Sequence, residues 1–211
     1  MAFTFDEPTN GGGGNFLPII TYSATTGDWT AHNSENQGGE WVKSRPEIDL
    51  PFKVVVDFNN AENGWILIGQ GHVDMAMVKH GEPIPERPSV EHKFGFRFTL
   101  GNKSLGLRQF SHSALTVMEQ VDKLHDQWLR DRADNPGKIP VVEITKSVAI
   151  ERKGNNGPLR FKAPQFAIVD WVDESAIEKL GGSSNSNDAP TPKAPPPPPK
   201  PLVEQDDDEL F

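Results

Sequence analysis

Only one long stretch of this chain repeats at helical spacing, and that scarcity limits the fold more than any other feature. Between Ser113 and Arg132, Ala114, Val117, Val121, Leu124 and Trp128 recur every three or four residues, and Met118 and Leu129 widen the same face. That spacing puts them on one side of an α-helix. Ser111 or Ser113 is placed to cap its start, and Asn135-Pro136-Gly137 ends it. With no strand-helix-strand alternation around it, a Rossmann-type parallel sheet is disfavoured.

The flanking segments read as strands. Phe16 to Tyr22 is apolar and β-rich, with Pro18 confining it to an edge or a strand start. A polar Gly/Asn-rich loop carrying Trp29 follows from Ser23 to Gly39, and Glu40 to Arg45 forms a short strand. Phe52 to Phe58 is a strand, Asn59 to Gly64 a turn, and Trp65 to Gly71 a second strand that can run on to Val78. Three prolines make Lys79 to Pro88 a loop. His92 to Leu100 alternates strictly, with Phe94, Phe96 and Phe98 on one face and Lys93, Arg97 and Thr99 on the other. After a turn at Gly101 to Ser104 comes Leu105 to Phe110. Beyond the helix, Ile139 to Glu151 and Leu159 to Val172 flank a Gly154 to Pro158 turn, and Glu174 to Leu180 is a short helix.

This order predicts a mainly β body: an OB-fold-like five-stranded antiparallel Greek-key barrel with its helix between the third and fourth strands. A small β-sandwich with one helical insertion is the alternative architecture. The expected organisation is a flexible glycine-rich arm over 1–15, one domain over 16–180 and a disordered tail over 181–211.

Binding single-stranded nucleic acid needs aromatic faces for base stacking and Lys/Arg along the backbone, and the barrel strands supply both. Trp41 lies near Lys43 and Arg45, and Trp65 opens the second strand. If the three phenylalanines line the core, Lys93 and Arg97 point outward. The reverse would drive two charges into the barrel, where unpaired they are costly. The expected contacts are therefore Trp41 and Trp65 for stacking, and Lys43, Arg45, Lys53, Lys93, Arg97, Lys103 and Arg108 for phosphate. Trp128 belongs on the helix's core face, whereas Trp29 and Trp171 fit either packing or stacking.

Other chemistries have little support. There is no cysteine, hence no disulfide, thiolate zinc site or cysteine nucleophile. His72, Asp74, His80 and His92 match no ligand spacing, the glycine run at 11–14 lacks the Lys-Ser/Thr of a P-loop, and no G-x-S-x-G or H-E-x-x-H occurs. No catalytic residue, metal or cofactor is expected. No apolar run of about 18 residues or secretory leader is evident, so a cytoplasmic protein without a membrane partner is expected. The net charge of −9 argues against nucleic acid, but six acids and two bases from Gly181 onward account for −4, leaving −5 for the body.

The last thirty residues are of another kind. A Gly/Ser/Asn spacer and a polyproline run (Pro195 to Pro201) lead to Asp206, Asp207, Asp208, Glu209, Leu210 and Phe211. Flexible coil, extended polyproline II and a self-repelling acidic block suit a tethered, solvated peptide whose apolar tip is presented to a basic-rimmed pocket. This tip resembles that of bacterial and bacteriophage single-stranded DNA-binding proteins, which end in several aspartates, one or two apolar residues and a final phenylalanine on a Gly/Pro-rich linker. The resemblance implies an OB-fold body that coats and protects single-stranded DNA without sequence preference. It also implies that Asp206 to Phe211 recruit replication, recombination or repair proteins. A homo-oligomer is compatible with the sequence. The alternatives are a protein-interaction adaptor read through its proline run, or a phage structural protein.

Overall fold

The structure is a computed structural model and describes residues 17–69, 72–154 and 157–182. The proposed arm over 1–15 and the recruiting tip Asp206 to Phe211 lie outside the described residues. Eleven strands and two α-helices follow in order: β1 (Ile19–Tyr22), β2 (Trp29–Ala31), β3 (Asn33–Gln37), β4 (Glu40–Ser44), β5 (Glu47–Ile48), β6 (Phe52–Gly69), β7 (His72–Lys79), β8 (Lys93–Asn102), β9 (Gly106–His112), α1 (Leu115–Asp131), β10 (Lys138–Gly154), β11 (Gly157–Asp173) and α2 (Ser175–Gly182). Nine strands share one sheet in the order β11-β10-β6-β8-β9-β1-β2-β5, with β7 also on β6, while β3 and β4 form a separate hairpin.

This mainly β sheet curls into a half-barrel around one long helix. The helical period does what the sequence predicts: Val117, Val121, Leu124 and Trp128 are buried against Val54, Val56, Phe58, Phe98 and Phe110 from the strands. Each such side chain contributes on the order of 1.5–3 kcal/mol. On β8 the alternation also holds, with Phe98 buried, Phe96 stacked on it at 5.3 Å and Lys93 exposed.

Several local expectations are corrected. Asn59 to Gly64 does not reverse the chain. β6 runs straight through as an 18-residue strand, slipping register between Asp57 and Glu62, where the Asp57 carboxylate accepts from the Asn60 backbone N–H and side-chain amide. Those polar residues that signal a turn here hold a bulge, which bends the strand. The reversal comes later, where Gly69 pairs with His72, so β7 folds back on β6 rather than extending it. Trp29 is no loop residue: it sits on β2, 1% exposed, ringed by Tyr22, Phe52, Phe110 and Phe166. Part of the supposed loop, Asn33 to Gln37, is the partner of Glu40–Ser44, joined through Gly38 and Gly39 at φ 68° and 102°. Two successive positive φ values are the requirement of a tight hairpin turn, and glycine meets it without strain.

Neither Ser111 nor Ser113 caps α1. The N-cap position is Ala114, and the backbone N–H of Ala114 donates instead to Nδ1 of His112 at 2.8 Å. Short β1 runs parallel to β9, and the β1–β2 turn reaches the long β10–β11 hairpin, where Lys162 N–H donates to Ala24 O and the Ser147 hydroxyl to Gly27 O. Gly27, at φ 90°, is pressed so closely there that a Cβ would lie 2.9 Å from that of Ser147.

Candidate nucleic-acid interface

Register fixes which side chains share the convex face of the sheet. Opposite residues in an antiparallel pair point the same way, so Phe98 and Phe110 define the core side, while Thr99 with Gln109 and Arg97 with Ser111 define the outer side. The outer strip continues onto β1 and β2 with Ile19, Thr21 and Thr30, and Thr21 shares a hydrogen bond of 3.0 Å with Nε2 of His32. Burial, then the charges of Arg45 and Arg108, push His32 below its ordinary pKa. One end of the strip is therefore a cationic corner with a neutral imidazole.

At this end the β3–β4 hairpin carries the first group of expected contacts. Trp41 is 64% exposed, and Lys43 and Arg45 are exposed beside it. An open indole with exposed cations two and four residues further on supplies what unstacked bases and their phosphates require. Arg108 is different. It is 7% exposed, and its guanidinium donates to Leu105 O, His32 O and Asn33 Oδ1 at 2.9, 2.9 and 2.6 Å. Those bonds root the hairpin on β9, so Arg108 is a fastening and the sequence reading of it as a phosphate contact is corrected: its donors are spent inside the protein.

Trp65 is also turned away from the strip. It lies opposite Phe94 on the inner side of β6, half-buried, with rings 5.7 Å apart. Its indole N–H donates to Pro85 O at 2.8 Å, and the Arg87 guanidinium sits 5.3 Å from its ring centroid. The proline loop is thus tied down by Trp65, whose indole N–H and one ring face are taken up by Pro85 and Arg87. Lys93 stands exposed on the outer side, and Arg97 is half-buried and ion-paired with Glu62. Lys53 is exposed, 3.6 Å from Glu143, and Lys103 projects from the β8–β9 turn. Together with Lys179 of α2 they rim a cavity of about 590 Å³ floored by Val55, Val141 and Leu180.

The sequence reading also passed over the distal β10–β11 hairpin. Residues 145–163 hold Lys146, Arg152, Lys153, Arg160 and Lys162 against a single acid, Glu151. Lys146, Lys153 and Arg160 are exposed there, while Arg152 is tied to Glu119 on α1. A count of local charge along the chain finds this segment at once. The negative total of the whole body hid it.

Among the described residues, no group of three or more His, Asp or Glu is placed to hold a metal ion, and no helix is long and apolar enough to cross a membrane. Trp128 is buried on α1 beneath the Arg132 guanidinium, and Trp171 packs partly buried against the core. The chain matches no protein-family model, no curated protein and no solved structure.

Proposed function

We propose that this protein binds single-stranded DNA without sequence preference, along the outer face of β1, β9 and β8. Its C-terminal Asp206 to Phe211 segment would then recruit the proteins that act on that DNA. The observation that carries the reading is the pairing pattern. Taking β6, β8, β9, β10 and β11 as five strands, the first pairs with the second and fourth, the third with the second, and the fifth with the fourth. The helix falls between the third and fourth. That order supports an OB-like reading of the half-barrel, in which β1 and its following turn would bridge the third and fifth strands, and OB barrels bind oligonucleotides across their second and third strands. Support for the ligand comes from the exposed Trp41-Lys43-Arg45 group at one flank, Lys93 at the other, and the basic β10–β11 hairpin.

Fluorescence titration of labelled oligo-dT at low and moderate salt tests this. The protein should bind, with log K falling linearly in log salt, and duplex of equal length should bind more weakly. Trp41→Ala should weaken binding by about 1–3 kcal/mol, the value of one stacked base. Because Trp41 is exposed, the thermal midpoint should stay put. No binding of oligo-dT at low salt would eliminate the proposal.

A further inference from the structure

The β6–β7 arm carries an apolar surface on the same outer side as Lys93 and Arg97. Glu62 opposes Arg97 and Lys79, Gly64 opposes Gly95 and Met77, and Ile66 opposes Lys93 and Met75, so these residues share one face. Ile68 and Val73 continue it, 66% and 55% exposed. The surface is built rather than incidental. Ile66 lies flat over Gly95 and is only 2% exposed, and a Cβ at Gly95 would lie 2.6 Å from its Cδ1. Met75 and Met77 remain partly exposed, with the Met75 sulfur 3.9 Å from Nη1 of Arg97. The arm's tryptophan faces the other way.

We propose that Met75 and Met77, flanked by Ile68 and Val73, form a base-contacting platform on the β6–β7 arm, with Lys79 and Lys93 holding the adjoining phosphates. This rests on the single-strand reading given above and names a base contact that does not depend on an aromatic residue. Thioethers are polarizable, adapt to flat partners and make favourable sulfur contacts with π-systems. Every base offers a π-face, so such contacts are indifferent to sequence. Charge selects the occupant: Arg97 and Glu62 neutralise each other, which leaves Lys79 and Lys93 as the net positive charge bordering the patch. A strand of exposed bases and anionic phosphates complements that combination.

The test uses the full chain labelled with methyl-13C methionine and titrated with oligo-dT. The Met75 and Met77 methyl signals should move upfield by ring current, while Met118 on α1 stays fixed as an internal control. The Met75→Gln, Met77→Gln double variant should melt at the same temperature. It should bind oligo-dT about tenfold more weakly with an unchanged salt slope, since no charge is removed. Full-strength binding by the variant, or unmoved methyls at saturation, overturns the platform and leaves the single-strand reading standing. Methyls that shift with protein concentration alone, and not with oligo-dT, would assign the patch to a second copy and overturn it too. Failure of the unaltered protein to bind oligo-dT at all removes both.

Discussion

Trp29 shows at the scale of one residue how burial and polarity trade against each other. Its indole is the hub of the aromatic core, yet the ring N–H finds no acceptor among the described residues. An unmet buried donor costs on the order of 1–3 kcal/mol, whereas emptying an aromatic site costs about 3–5 kcal/mol. Trp29→Phe should therefore lose little stability, because it discards the stranded N–H along with some volume. Trp29→Ala should lose several kcal/mol, as urea denaturation of the two variants will show. A phenylalanine variant as damaged as the alanine one would mean the N–H is satisfied after all. The sequence could not assign Trp29, since Gly and Asn neighbours mark a loop and β2 is three residues long. Nor could it separate Arg108 from Lys93. Arg108 stands two residues before Phe110 and opposite Leu100, on the core side of β9, where His32 and Asn33, some 75 residues away, take up its guanidinium and make it a fastening.

At the scale of elements, periodicity was legible and connections were not. The helix face and the β8 phenylalanine row appear where spacing puts them, because each depends only on neighbours in the chain. The β6 bulge and the β7 reversal are made by contacts three residues along the chain, Asp57 with Asn60 and Gly69 with His72, and the polar run at 59–64 looked like a turn because a bulge uses the same residue types. The start of α1 depends on another such contact, and it has a pH signature. His112 Nδ1 accepts the Ala114 N–H, and its Nε2–H donates to Tyr22 O at 3.2 Å, an arrangement open only to the neutral ring. Burial pushes its pKa below the ordinary 6.5, and burial also lowers His125, which is further lowered by His80. With folded values below the unfolded one, the unfolded chain binds more protons in that window. Stability is therefore complete above about pH 6.5 and falls as pH drops toward the folded pKa values. Urea midpoints should be lower at pH 5.5 than at pH 7.5, and His112→Asn, which keeps an acceptor, should flatten part of that slope. A midpoint independent of pH across this range would contradict the neutral His112 assignment.

Across the whole molecule, charge is unevenly placed, and this bears on how an acidic protein could hold a polyanion. Residues 145–163 carry +4, so the rest of the body, which totals −5 with this hairpin included, carries −9 without it. Part of that negative charge lies on α1, where Glu119, Asp122, Asp126 and Asp131 outweigh Lys123 and Arg130, and in the 82–91 loop, where Glu82, Glu86 and Glu91 outweigh Arg87. Segregation of this kind lets local potential, rather than net charge, decide where a phosphate backbone settles. If DNA leaves the β8–β9 face along the basic hairpin, Lys153 and Arg160 should each contribute to counterion release. Both are exposed, and Arg160 has only a loose partner, Glu151, at 3.5 Å. The Lys153→Ala, Arg160→Ala double variant should then keep its melting temperature within the small range of surface changes and lower the slope of log K against log salt by about 1.4, at roughly 0.7 per phosphate for single strands. An unchanged slope would take the hairpin out of the DNA path and confine binding to the strip between Trp41 and Lys93.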